Sequence, residues 1–294
     1  MAADLHGYLL NCFIGGETAT TQSDGSPIRN RIDLEFGGRD ITIIQRPEII
    51  RAKPSDHRGQ AVPTTTVVVC NVEVEERETV LDLLRGLSSL LSFATYSDVA
   101  LYEWEHPGAE VLGGGWSVVA HMGYFRPSFA IRDGKEIRTY LELVWREYFR
   151  LEHTRQLRVA IHMLVLAETR SLPLELKLAT MFILLENLKS SFAKEQGYAF
   201  RKGYYRKSSG DVWSFEALLS EMFGRVGMSS LDLSAIVDLR NEIIHSGISQ
   251  TSFEHQFDIY ENCQDLIREY LLRLLGYTGE FLLYSGSGMT PKRI

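Results

Sequence analysis

The sequence predicts an α+β protein in which a β-rich N-terminal part, residues 1–133, precedes an all-α helical bundle, residues 134–294. Three observations carry this. At 294 residues the chain has room for about two domains of roughly 150 residues. Before residue 134, glycine and proline punctuate short β-rich runs. From 135 to 196 there is no glycine and only one proline, Pro173, while apolar residues recur at three and four.

Taken in order, the runs 8–14, 32–36, 41–44, 65–74, 99–104 and 116–122 read as strands. Their bounds are turn signals such as Gly37-Gly38 and Gly113-Gly114-Gly115. An amphipathic helix interrupts them over 77–93, with Val80, Leu83, Leu84, Leu87 and Leu91 at helical spacing. The turn Ile131-Arg132-Asp133-Gly134 is the natural boundary. Two long helices then follow, over 135–170 and 173–195, with Pro173 near the first turn of the second, where its missing N–H costs nothing. Three more helices are expected over 215–224, 231–245 and 253–275, and 285–294 reads as a loose tail.

Composition narrows the function classes. Hydrophobic residues make up 45% and charged residues 23%, which fits a folded globular chain and not a disordered, collagenous or coiled-coil one. A net charge of -7 argues against coating nucleic acid or an anionic membrane by bulk charge, so any such contact must be local. The three cysteines, Cys12, Cys70 and Cys263, form no CxxC or Cys/His ligand spacing, which points to a reducing, cytoplasmic setting without a disulfide framework or structural zinc. The first basic residue is Arg29, so no secretion signal is expected. His162, Glu175, Lys177 and Glu186 break the most apolar runs below the ~20 residues of a membrane span.

Chemistry-bearing motifs are few. The stretch Leu112-Gly113-Gly114-Gly115-Trp116 has no GKS/T or GxGxxG and opens no helix, so it reads as a turn between strands and not as a phosphate loop. His153 and His162 lie nine residues apart on different helical turns, and no HExxH or GxSxG occurs; no metal and no cofactor are expected.

The informative segment is Asp238-Leu239-Arg240-Asn241-Glu242-Ile243-Ile244-His245-Ser246-Gly247. At about 100° per residue from Ile236, the residues Val237, Leu239, Ile243 and Ile244 define an apolar arc with Arg240 inside it at about 40°. A guanidinium there asks for an acid or a phosphate. Asn241 at about 140° and His245 at about 180° lie one turn apart beside the arc's edge, and Gly247 can stop the helix. On the helix 173–195, Glu186 falls between Phe182, Ala179 and Ile183, which makes it an acid for Arg240; it could equally pair with Lys189 one turn on.

The run Leu239-Arg240-Asn241-Glu242-Ile243-Ile244-His245, late in a helical bundle, resembles the RN-x3-H form of the R-x(4-6)-H motif of the HEPN superfamily. Phe182-Ile183-Leu184-Leu185-Glu186-Asn187-Leu188 is similar to that family's earlier helix with its acidic residue, and 253–275 to its closing helix. The resemblance covers about 134–280 and is nearest to the ApeA-like branch, in which a β-rich domain precedes the bundle. It implies a metal-independent endoribonuclease, dimeric, with the motifs of two subunits facing each other; relatives act as toxins or antiviral effectors. His245 would be the acid/base, Arg240 the phosphate clamp, Asn241 an orienting donor and Glu186 the residue that holds Arg240. The substrate's 2'-hydroxyl would attack the adjacent phosphate.

A second patch bears on substrate. Phe200-Arg201-Lys202-Gly203-Tyr204-Tyr205-Arg206-Lys207 carries four cations, three aromatics and no acid, the mixture that grips an RNA backbone while stacking bases. It also reads as a solvated loop whose aromatics anchor it to the bundle; if RNA binds, Ser208, Ser209 and Gly210 let the loop adapt. Two function classes follow: a HEPN-type RNase, and a non-catalytic HEPN scaffold that binds RNA, nucleotide or a protein partner through the same surface. A homodimer or higher homo-oligomer is expected in the first, no membrane contact in either. The 1–133 domain is assigned a sensing or regulatory role toward an unknown ligand or protein.

Overall fold

The computed structural model describes residues 2–57, 59–107, 126–169, 171–229, 231–286 and 288–294. The protein is α+β, a six-stranded antiparallel sheet followed by helices. It divides into two compact units, residues 1–146 with 279–282 and residues 147–278 with 283–294.

In the first unit, β1 (Ala3–Leu10), β2 (Thr18–Thr21), β3 (Pro27–Phe36), β4 (Arg39–Gln45), β5 (Pro63–Val72) and β6 (Ala100–Glu105) form the sheet in the order β2-β3-β4-β5-β1-β6. Burial alternates along β3, where Ile28, Asn30, Ile32, Leu34 and Phe36 are covered and their neighbours are not, as a one-sided sheet requires. The first strand stops at Leu10 and not at 14, because Asn11 takes a left-handed φ of 59°. Its carbonyl oxygen accepts from the Val62 N–H and its amide donates to Asp98 O, so this chain reversal is held by side-chain bonds that no hydrophobic pattern announces. β2 carries Thr-Ala-Thr-Thr with little burial, and the strand reading missed it for that reason. The expected strand 116–122 and the triglycine turn lie outside the described residues.

Phe36 pairs with Arg39 across Gly37 and Gly38, whose φ values of 66° and 75° are those of a two-residue hairpin turn. A Cβ on Gly37 would overlap Leu83, so the turn sits directly on the helix. After the short α1 (Pro47–Arg51), that helix is α2 (Arg77–Thr95), which buries Val80, Leu84, Leu87 and Leu91 and ends at Tyr96 in a left-handed conformation. The opening turns of α3 (Gly134–Arg155) belong to the same unit: Tyr140 packs on Phe93 and Phe129, and Arg138 forks onto Glu17 at 2.7 and 3.0 Å.

The second unit takes up the rest of α3 and adds α4 (Leu157–Ala167), α5 (Leu174–Glu195), α6 (Phe215–Gly224), α7 (Ser234–Ser246) and α8 (Phe253–Leu274). The single helix expected over 135–170 is therefore two. Gln156 adopts φ 51° between them, and the preceding Arg155 is buried against Glu195, Tyr270 and the Phe192 ring. With no glycine or proline at the break, tertiary satisfaction of that guanidinium competes with helix continuation and wins. α5 opens after Pro173, as its place at the first turn predicts. Between α5 and α6 the chain forms a hairpin of β7 (Ala199–Arg201) and β8 (Tyr204–Arg206) where a loop was one reading. The tail expected over 285–294 is not wholly loose either: it carries β10 (Thr290–Arg293), and β9 (Glu280–Leu283) precedes it. Among the described residues no helix is long and apolar enough to cross a membrane.

Candidate active site

The motif sits on the C-terminal half of α7. Asp232 receives the Ser234 N–H and hydroxyl at the helix entry, while Ile236, Leu239 and Ile243 bury one stripe. Gly247, at φ 77°, returns its N–H to Ile243 O at 2.8 Å and stops the helix. Ile244, assigned to the apolar arc, is 44% exposed, so the buried stripe is narrower than the wheel gave.

Arg240 leans off that stripe toward α5, its side chain 21% exposed. Its Nη2 donates to Glu186 Oε1 at 2.7 Å and its Nη1 to Asn241 Oδ1 at 2.9 Å. The other carboxylate oxygen of Glu186 meets Lys189 Nζ at 2.6 Å. Both partners weighed for Glu186 are thus real, because a carboxylate has two oxygens to share. Phe215, the first residue of α6, carries both cations against its ring: Arg240 Cζ lies 4.7 Å and Lys189 Nζ 4.8 Å from the centroid. Ser214 fixes that ring by capping α6, accepting from the Ala217 N–H at 3.1 Å. The Arg240 Nε–H is closed off from water and has no acceptor.

The hairpin supplies the opposite wall. Lys202 and Gly203 turn it with φ 53° and 82°, placing Phe200 across from Tyr205 and Arg201 across from Tyr204. Tyr205 is buried and donates its hydroxyl to Ser190 O at 3.3 Å on α5, so it is an anchor and not an open stacking surface. Phe200 and Tyr204 are 61% and 58% exposed. Arg206 spends Nη1 on Gly210 O, and Lys207 lies 4.6 Å over the Trp213 ring, which itself stacks on Tyr198. The 208–210 turn is hydrogen-bonded shut through Gly210 N–H to Lys207 O and Ser209 Oγ to Asp211. Arg201 and Lys202 are exposed at the tip.

Between these walls opens a cleft of about 510 Å³ lined by Glu186, Lys189, Phe200, Tyr204, Phe215 and Arg240 among others. The structure therefore sets Arg240 of the motif and Phe200, Tyr204 and Tyr205 of the cationic aromatic run on one cavity, whose lining includes neither Asn241 nor the run's cations Arg201, Lys202, Arg206 and Lys207. It does not bring His245 there. That imidazole is exposed, with no hydrogen bond or ion pair among the described residues, and lies about 7.5 Å along the helix and about 140° around it from Arg240. The sequence offers Lys189 only as a rival to Arg240 for Glu186 and marks neither Phe215 nor Trp213; an aromatic directly after a Ser N-cap is the faint signal for Phe215.

Among the described residues no group of three or more His, Cys, Asp or Glu could hold a metal ion. On the far side of α7, Glu242 closes the segment after the motif: it accepts from Gln250 N–H at 2.5 Å, Ser249 Oγ at 2.7 Å and Thr251 Oγ1 at 3.3 Å. These bonds, the Gln250 amide first, hold its carboxyl below the ordinary glutamate value. Compared with family models, with curated proteins and with solved structures, the chain has no match.

Proposed function

We propose that the second unit is a metal-independent endoribonuclease of HEPN type, working as a homodimer in the cytoplasm. The observation that carries this reading is a preoriented guanidinium with, five residues further along the same helix end, an exposed imidazole: Glu186 and Asn241 hold Arg240, and His245 stands open to solvent. A guanidinium fixed before substrate arrives stabilises charge on phosphorane oxygens at little reorganisation cost. Asn241 accepts from Arg240 through Oδ1, which leaves its amide N–H groups to donate to a phosphoryl oxygen.

In the reaction the ribose 2'-oxygen bonds to the adjacent phosphorus as its proton passes to an imidazole, and the P–O5' bond breaks as a protonated imidazole gives a proton to the departing oxygen. One histidine per chain can fill one of these roles at a time. With His245 outside the Arg240 cleft, a second copy presenting its own α7 end supplies the other.

A second reading has its own support. Both Nη groups of Arg240 already have partners within the chain, which also suits a non-catalytic scaffold binding RNA, nucleotide or a protein. RNA cleavage by purified protein, wild type against His245→Ala, separates them. The nuclease cuts in EDTA, leaves a 2',3'-cyclic phosphate or its 3'-phosphate product with a 5'-hydroxyl, and spares all-DNA substrate. Cleavage that stops on chelation or leaves a 5'-phosphate overturns the mechanism. No cleavage under any condition favours the scaffold.

A further inference from the structure

We propose that the cleft between α5, the β7–β8 hairpin and the start of α6 takes one unpaired nucleotide of single-stranded RNA, its base stacked on Phe200 and its phosphate toward Lys189 and Arg240, with the next base on Tyr204 across the hairpin. The proposal rests on the nuclease reading for its choice of RNA; the binding geometry stands on the cleft itself.

Four observations converge. Phe200 and Tyr204 keep most of their surface in solvent, whereas Tyr205 is buried and Tyr198, Trp213 and Phe215 are half-buried. They are held on a two-residue hairpin whose base is tied to α5 through Tyr205, so the rings are offered on a rigid support and little ordering is lost when a base lands on them. The charge is local: Lys189 and Arg240 line the cleft against Glu186, and Arg201, Lys202, Arg206 and Lys207 stand on or beside the hairpin that forms its wall, on a chain of net charge -7. The volume of about 510 Å³ lies within the roughly 300–1,000 Å³ of sites that enclose a small molecule, enough for one nucleotide and not for a duplex.

The chemistry selects the ligand. A simple anion would need the cations and not the exposed rings; an apolar peptide would need the rings and not Lys189 and Arg240. Bases in a duplex have both faces covered, whereas an unpaired base offers a π face to any aromatic, which makes such a site tolerant of sequence. Arg201, opposite Tyr204 on the hairpin, and Lys202 at the tip are placed for the backbone leading away from the cleft.

The test is fluorescence anisotropy with a labelled 12-nucleotide oligouridine, on full-length His245→Ala protein so that cleavage does not consume the probe. Single-stranded RNA should bind, double-stranded RNA of the same length should bind at least tenfold more weakly, and free UMP should compete only at far higher concentration. Tyr204→Ala and Phe200→Ala should each weaken Kd by roughly 5- to 150-fold, the range of one lost base stack, while Tyr204→Phe restores it. Both rings are exposed, and unchanged melting of each variant checks that the fold is intact. Absence of single-stranded RNA binding, or alanine variants that bind like the parent, overturns the proposal. If Tyr204→Ala loses binding while the wild type cuts no RNA, the stacking site holds and the nuclease reading falls; if the wild type cuts RNA and Tyr204→Ala changes neither Kd nor KM, the reverse is true.

Discussion

Replacing Arg240 with alanine should destabilise the second unit by about 1–2 kcal/mol, whereas His245→Ala should cost under about 0.5 kcal/mol. The difference follows from their surroundings. Arg240 makes one charge-assisted bond to Glu186 at 2.7 Å and rests on Phe215 at 4.7 Å. Charged hydrogen bonds contribute about 1.5–3 kcal/mol where dry, and a partly exposed cation on a ring about 0.5–1 kcal/mol. Two facts reduce that sum. Glu186 is 35% exposed and keeps Lys189 at 2.6 Å, so losing Arg240 does not strand a buried acid. The alanine variant also removes the orphaned Nε–H, whose burial is itself unfavourable. A fully buried pair would cost more, because losing one partner would strand an unpaired charge. Urea unfolding followed by circular dichroism measures this as a shift in midpoint at constant slope. A cycle with Glu186→Gln should return a coupling of at least about 0.5 kcal/mol for the pair. Equal midpoints for Arg240→Ala and His245→Ala, or no coupling in the cycle, would refute the reasoning.

Three further outcomes are expected. In light scattering the protein should be at least a dimer, and Ile244→Asp, at a 44% exposed apolar position beside the motif, should shift it toward monomer and slow cleavage; a wild-type monomer with full activity sinks this. Because the Glu242 carboxyl is held below its ordinary value in the folded state, its bonds to Ser249, Gln250 and Thr251 persist above the usual glutamate range and are lost as pH falls through the lowered value. The Gln250 amide proton resonance should follow that titration, and Glu242→Gln should flatten it. Gly37→Ala should cost about 1–3 kcal/mol in the first unit, since φ 66° and the Leu83 side chain both exclude a Cβ; an unchanged melting midpoint would contradict the turn geometry.

What the sequence made legible was whatever a single period carries. The α+β division, the buried face of α2, the start of α5 at Pro173 and the stop of α7 at Gly247 each follow from local spacing or from one residue's backbone limits. The break at Gln156 does not, because it depends on where Arg155 finds Glu195 and Tyr270. Strands of three residues, as in β7 and β8, are too short for alternation to register. In the site, the helical wheel placed Arg240 inside the apolar arc of α7 and Glu186 inside that of α5, which made them candidate partners. The same wheel set His245 about 140° from Arg240, so their separation was already in the angles although adjacency along the helix drew them together.

The Tyr205 anchor makes α5 a ruler for the cleft. Ser190, whose carbonyl receives the Tyr205 hydroxyl, stands one turn after Glu186, so a single stretch of helix spaces the aromatic wall from the cationic one. The 208–210 turn can lengthen without moving either wall, but one residue inserted between Glu186 and Ser190 would swing the hairpin's foothold by about 100° and raise it about 1.5 Å. Variation among natural versions of this chain is therefore tolerable in the length of that turn and costly in the count of residues from 186 to 190.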